Sequence, residues 1–398
     1  MAREPQRVGA RAILAAWALF AAGPALGQAA GVSDGEVVFG MSAAFSGTAK
    51  ELGRQMKVGY EVAFAAANDA GGIAGRKLKL VAQDDGNEPG RAQAVVKDLV
   101  EQRKVFALVG TVGSAAIEAY LPYLFDKRII MFGSMSGGDF LRNDPPDRWI
   151  FNFRAGYAEE TEALVRYFVK VRHLKPSQIA YFEQQDSYGA AGWRGFARQM
   201  RRFDFDTDQT LRVGYQRNTL DVDEAVKLVQ KNAGRLKAVV MVATHHVAAK
   251  FIEKLKGQDL VYGNLSAVVG RELADELVQL GPKFADGVVM TQVVPLPTSR
   301  ATAVMKYQDA LHRYAPDERP DFVSLEGYLA AQVLMEGLRR AGKNLTTDSL
   351  VDAIEAIKGY EMGIGVQVSF GPSEHQGSHK IWGTVLDATG NPRPLELE

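Results

Sequence analysis

Three short loops hold most of the residues in this chain that could do chemistry. The first reads Ser42-Ala-Ala-Phe45-Ser46-Gly47, the second Gly110-Thr-Val-Gly113-Ser114 and the third Gly133-Ser134-Met135-Ser136-Gly137-Gly138. Each is small, contains glycine, carries hydroxyls and stands before or at an expected helix start. Such a loop offers free backbone N–H groups and the positive end of a helix dipole to an anionic group. A serine at a helix start can equally be a plain cap, but three such loops in one half of the chain favour a shared site. No Ser-His-Asp constellation, nucleophile elbow or metalloprotease motif accompanies them. Binding rather than turnover is expected, with no catalytic residue and no cofactor.

Two other patterns are weaker. Gly337-Leu-Arg-Arg-Ala-Gly342-Lys343 has P-loop spacing, but it ends in Asn344 and closes a helical pattern instead of following a strand. Gly342 is better read as a helix stop. His245-His246 opens a helix, and His375 and His379 stand four apart in a Gly-rich loop. Two histidines without paired carboxylates make a weak metal site, so no metal is expected.

The loops need strands and helices to hold them. Short apolar runs at 36–42, 77–84, 106–109 and 129–132 alternate with helical spacing such as Met56, Tyr60, Ala63, Phe64 and Ala67. The rhythm restarts after residue 154, with strands expected at 179–182, 211–213, 239–242 and 260–262. Strands separated by single helices imply right-handed βαβ units and open parallel sheets. The fold class is therefore α/β, with two doubly wound parallel-sheet lobes. A strand at 288–290, helices over 301–314, 323–341 and 347–357, and a strand-like, Gly-rich tail break the rhythm. This order takes the chain between the lobes more than twice. In such sheets ligands bind at the carboxyl ends of the strands, where the three loops lie.

Composition narrows the function. The chain has 398 residues with 47 Lys+Arg and 47 Asp+Glu, and a nucleic-acid partner would call for an excess of cations. Cysteine is absent, which excludes thiol catalysis, disulfides, Cys-ligated zinc and iron–sulfur clusters. Arg3, Arg7 and Arg11 precede an apolar run of about 12 residues, short of the ~20 a membrane span needs. Pro24, Ala25 and Gly27 follow. This is the layout of a signal peptide. Removal of residues 1–27, with cleavage before Gln28 or one to three residues later, is expected. With no cysteine for a lipid anchor, the product is expected to be soluble and periplasmic.

Residues 68–85, NDAGGIAGRKLKLVAQDD, followed by Pro89, resemble the hallmark of the Leu/Ile/Val-binding family of type I periplasmic solute-binding proteins, components of ABC importers. The Ser46-Gly47 and Gly113-Ser114 pairs, Ser187-Tyr188-Gly189 and Glu326-Gly-Tyr328 match the same pattern. The resemblance runs from about residue 35 to 390. It implies two lobes joined by a three-strand hinge, with lobe 1 at 34–153 plus 293–377 and lobe 2 at 154–292 plus 378–398. It also implies a small-molecule ligand in the cleft, a membrane permease as partner and a monomeric chain. A periplasmic sensor that presents its closed form to a signalling receptor is the alternative. By position, Ser114 corresponds to the hydroxyl on the ligand carboxylate, and Met135, Ser136 and Gly137 to the loop beside it. Tyr188 corresponds to the aromatic of the second lobe, Thr244 and Ser266 to further contacts, and Phe322 to an aromatic wall. Phe45 and Ser46 join them from the first loop. Amino-acid binders of this family usually carry an acid after the strand at 260–262, facing the ligand ammonium. Here that loop reads Gly263-Asn-Leu-Ser-Ala-Val. A buried ammonium without a counter-charge is costly, so a carboxylate without an amine, or a neutral amide-like solute, suits the site at least as well as an amino acid.

Overall fold

The computed structural model describes residues 1, 29–255, 257–266 and 270–398. Apart from Met1, the expected signal segment lies outside the described residues. The first sheet holds β1 (Glu36–Ala43), β2 (Lys77–Asp84), β3 (Ala107–Val109), β4 (Ile130–Phe132) and β5 (Ile150–Phe151). All are parallel, in the order β2-β1-β3-β4-β5. The helices α1 (Lys50–Asp69), α2 (Pro89–Glu101) and α3 (Ser114–Lys127) connect them. The strands β3 and β4 are short and wholly buried, as strands covered by helices on both faces must be.

The second sheet repeats this order. It contains β6 (Ile179–Gln184), β7 (Arg212–Tyr215), β8 (Ala238–Val242), β9 (Val261–Asn264) and β10 (Val289–Gln292). Its helices are α4 (Tyr157–Arg166), α5 (Ser187–Arg201), α6 (Asp223–Lys231), α7 (His245–Lys254), α8 (Gly270–Leu280) and α9 (Pro282–Ala285). The chain then returns to the first lobe as α10 (Thr302–Tyr314), α11 (Phe322–Ala341) and α12 (Thr347–Glu355). A small ladder of β11 (Tyr360–Glu361) and β12 (Gln367–Val368) follows. The antiparallel strands β13 (Trp382–Leu386) and β14 (Pro392–Leu395) extend the second sheet to β14-β13-β10-β9-β8-β6-β7. The chain thus crosses between sheets three times: after β5, after β10 and before β13. At two of these crossings Asn152 pairs with Gln376 in parallel.

The expected strands are present with ends moved by a residue or two. The helix α4 is continued by a π-turn over Tyr167–Val171. The helices α1 and α11 pack so closely that a Cβ on Gly59 would stand 2.2 Å from the Ser324 carbonyl oxygen. A side chain there would force the two backbones apart.

A buried ion cluster sits at the first crossing. Arg154, fully buried, donates to Glu160 Oε1 at 2.8 Å and to both oxygens of Glu326 at 3.4 Å, and it also bonds Ser266. Glu160 in turn accepts from the Ser266 N–H and hydroxyl, both at 2.9 Å, and from the Thr291 hydroxyl at 2.5 Å. These partners come from the crossing segment, α4, the turn after β9, β10 and α11. One guanidinium faces two carboxylates. Burial, against the pull of Arg154 and with repulsion from Glu160, pushes the Glu326 carboxyl up to about 7. Glu326 is the acid that can hold a proton, and Glu160 makes the shorter bond to Arg154. Removing one partner of a buried pair costs about 3–5 kcal/mol. Glu160→Gln is therefore expected to lower unfolding free energy by about that much at neutral pH, and Glu326→Gln by less than half of it. The folded chain keeps a proton on Glu326 that the unfolded chain, with an ordinary value of 4.5, has released. This group's contribution to stability therefore falls as pH rises from about 4.5 to 7, and Glu326→Gln should remove that part of the slope. Urea titrations of both variants across this range check it; equal losses would refute the assignment.

Candidate functional site

The carboxyl ends of both sheets face a small cavity of about 30 Å³ between the lobes. Its position follows from strand order, which reverses beside β1 in the first sheet and beside β6 in the second. Connections diverge there and leave a crevice.

Two adjacent aspartates hold the first-lobe loops. Asp84 Oδ1 accepts from the N–H groups of Phe45 (2.8 Å) and Gly86 (3.0 Å), and Oδ2 from the Ser46 hydroxyl (2.7 Å) and Arg91 (2.9 Å). Burial alone would raise this carboxyl, but these donors bring it down to about 2. Asp85 is fully buried and accepts from Ser42 (2.6 Å) and the Asn87 N–H (2.7 Å). Together they pin the loops after β1 and β2 side by side and bring Ala49, Leu52 and Asn87 to the cavity wall. Gly113 then turns the chain into α3 with φ 100°, and a Cβ on it would meet Asn87 Oδ1 at 2.4 Å. Only glycine accepts both constraints without strain.

Ser114, at the first position of α3, lies 2.8 Å from Ser136 through their hydroxyl oxygens. The Ser136 oxygen accepts from the Gly138 N–H at 3.2 Å. Ser136 can therefore donate to Ser114, which leaves the Ser114 proton for another acceptor. Val112 and Met135 complete this wall.

The second lobe supplies Tyr157, Gln184, Tyr188 and Thr244. The rings of Tyr157 and Tyr188 meet edge to face with centroids 4.9 Å apart. Burial raises the Tyr157 phenol, which reaches Ser114 and the Gly137 backbone. The Tyr188 hydroxyl is buried without any hydrogen-bond partner. An orphaned buried hydroxyl costs about 1–3 kcal/mol, and this one belongs to a residue of the cavity wall. Tyr215 accepts from the Thr244 N–H at 3.2 Å and donates to Gln184 at 3.1 Å, which fixes both wall residues. Asp186 caps α5 through the Tyr188 N–H at 3.0 Å. The N-terminal ends of α3, α5 and α7 thus converge on one space. Among the described residues lining it, none is charged. The lobes are clasped at the rim by Arg217–Glu88 (3.5 Å), Asn218–Glu88 (2.5 Å) and Arg194–Asp139.

The family described as periplasmic binding protein has a model that matches residues 36–391. The chain belongs to this family. It is a family of solute-binding proteins rather than enzymes, and its compartment is the periplasm. An "amino acid binding protein" of Pseudomonas aeruginosa is 27% identical over 315 residues, which is 78% of this chain and 80% of that one. The crystal structure of a possible leucine/isoleucine/valine-binding protein from Rhodopirellula baltica superposes with a TM-score of 0.86 at 32% identity, covering 92% of this chain and 97% of that one. A substrate-binding periplasmic protein from Ralstonia solanacearum has a TM-score of 0.82 at 26% identity, with coverages of 90% and 100%. No helix among the described residues of this binding protein is long and apolar enough to cross a membrane.

Of the residues singled out from sequence, Ser114, Met135, Tyr188 and Thr244 line the cavity together. Ser136 and Gly137 stand directly behind it: Ser136 supports Ser114, and a Cβ on Gly137 would collide with Tyr157. Phe45 and Ser46 are tethers to Asp84. Ser266 belongs to the Arg154 cluster. Phe322 lines a different cavity, with Arg271 and Pro297. Asn87, Tyr157 and Gln184 went unread. The rule that ligands meet the carboxyl ends of strands could have found Asn87 and Gln184, which follow β2 and end β6. Tyr157 opens a helix directly after the first crossing, and nothing in its local sequence sets it apart.

Ser114→Ala tests the cavity. For a ligand that carries a carboxylate, a hydroxyl donating to it contributes about 1.5–3 kcal/mol, so the variant is expected to bind such a ligand roughly 10- to 150-fold more weakly. Loss of a simple cap would lower the melting temperature and leave affinity unchanged. Calorimetric titration and a melting curve on one sample separate these outcomes.

Proposed function

We propose that this chain traps a small carboxylate between its lobes and delivers it to an ABC membrane permease, as an exported monomer cleaved before Gln28. The lobes are divided as 34–153 plus 293–377 and 154–292 plus 378–398. The reading rests on three helix N-termini from both lobes meeting at a cavity whose described lining is neutral. Those ends favour negative charge, and Ser114 and Tyr188 supply hydroxyl donors beside them. An α-ammonium in the same space would meet the N-terminal ends of three helices and, among the described lining residues, no carboxylate, at a desolvation cost. The names of the relatives, an amino acid binding protein and a possible leucine/isoleucine/valine-binding protein, agree with this reading on the carboxylate and differ from it on the ammonium. Leu52, Val112, Met135 and the two tyrosine rings suit a compact apolar body on that carboxylate. Trapping is a population shift, limited by how much more tightly the closed form binds.

Titrations with matched sets decide the class: a branched aliphatic acid, its primary amide and the corresponding α-amino acid, then the same set with a phenyl group. The acid is expected to bind at least about tenfold tighter than the amino acid, a difference of about 1.4 kcal/mol. Tighter binding of the amino acid would overturn the ligand class and leave the trap intact. Small-angle scattering at saturating acid should show a more compact molecule; an unchanged curve would remove the trap.

A further inference from the structure

Beside the cavity, α7 and α8 bring together two adjacent histidines and an acid from a later helix. His245 and His246 open α7 with ring centroids 4.2 Å apart, and Glu276 of α8 hydrogen-bonds His246 Nδ1. One possible ligand atom from each of the three lies within 4.8 Å of those from the other two. The feature that sets this group apart is His245. Its side chain is fully buried, yet neither ring nitrogen has a hydrogen-bond partner. A neutral imidazole carries one donor and one acceptor, and polar atoms left unpaired in an interior call for an explanation. His246 and Glu276 are both partly open to solvent, which gives an ion a route in.

We propose that His245, His246 and Glu276 form a binding site for a borderline-soft divalent cation of the zinc type. Two imidazoles and one carboxylate are the donor set that zinc takes with a fourth position left for water, whereas magnesium and calcium require oxygen ligands. Zinc holds such ligands at about 2.0–2.2 Å, so the three must draw in by small side-chain rotations. Glu276 would turn from His246 towards the ion, and an orphaned nitrogen of His245 would gain its partner. The positive end of α7 opposes a cation, so the three side chains must carry the affinity alone. The two adjacent histidines, unpromising for metal without a paired carboxylate, acquire one through the packing of α8 on α7.

The test is zinc titration of the tag-free protein against a chromophoric chelator, with magnesium as control. One zinc per chain and no competition from magnesium is expected. His246→Ala and Glu276→Gln alter half-exposed positions and should keep the fold, which a melting curve verifies. Each should abolish the one-to-one isotherm. His379 pairs with Glu159 and Glu374 elsewhere on the molecule, and His379→Ala should leave binding unchanged. Absence of stoichiometric binding would overturn the proposal, as would binding that survives in both site variants or is lost only in His379→Ala.

Discussion

The burial of one guanidinium at the first crossing constrains the rest of the molecule. Arg154 is removed from water entirely, and an unpaired charge there would cost several kcal/mol. Its neutralisation draws Glu160 from α4, Ser266 from the turn after β9 and Glu326 from α11, while Thr291 of β10 completes the shell of Glu160. These elements belong to both lobes, so satisfying one side chain ties the two lobes together where the chain crosses between them. The same guanidinium lies over the Tyr157 ring at 5.3 Å, and Tyr157 is part of the cavity wall. The hinge and the site are therefore in direct contact.

Charge is segregated around this point. Among the described residues, the formal charges near the cavity lie behind its wall, in the Arg154 cluster and at Asp84, Asp85 and Asp186, or at its rim, where Arg217, Glu88, Arg194 and Asp139 clasp the lobes. The described wall carries hydroxyls, amides and helix ends. Partial charges of this kind are fixed by the backbone and need no counter-ion. They can attract an anion without leaving a full charge buried when the lobes close on nothing. Exposed ion pairs at the rim contribute little each, so these contacts can break and reform at low cost.

The elements and the general place of the site were legible in the sequence because they depend on local properties. Hydrophobic period separates strands from helices, and glycine with serine at strand ends marks where α3 begins. The pair Asp84–Asp85 was visible as part of a family hallmark. Its work, in tethering Phe45, Ser46 and Ser42, was not, because hydrogen-bond partners some forty residues apart leave no pattern in either segment.

What the sequence by itself determined is the order of strands and helices, the doubly wound class, and the hydroxyl-bearing loops that include Ser114 and Met135. Tertiary structure alone decided which of the candidate residues share a space. It set Ser266 on Glu160 and Phe322 beside Arg271, and it brought Tyr157, Asn87 and Gln184 to the wall. The reason is physical. Periodicity and capping are fixed within a few residues of chain, whereas the neutralisation of a buried charge and the convergence of helix ends depend on where distant segments come to rest.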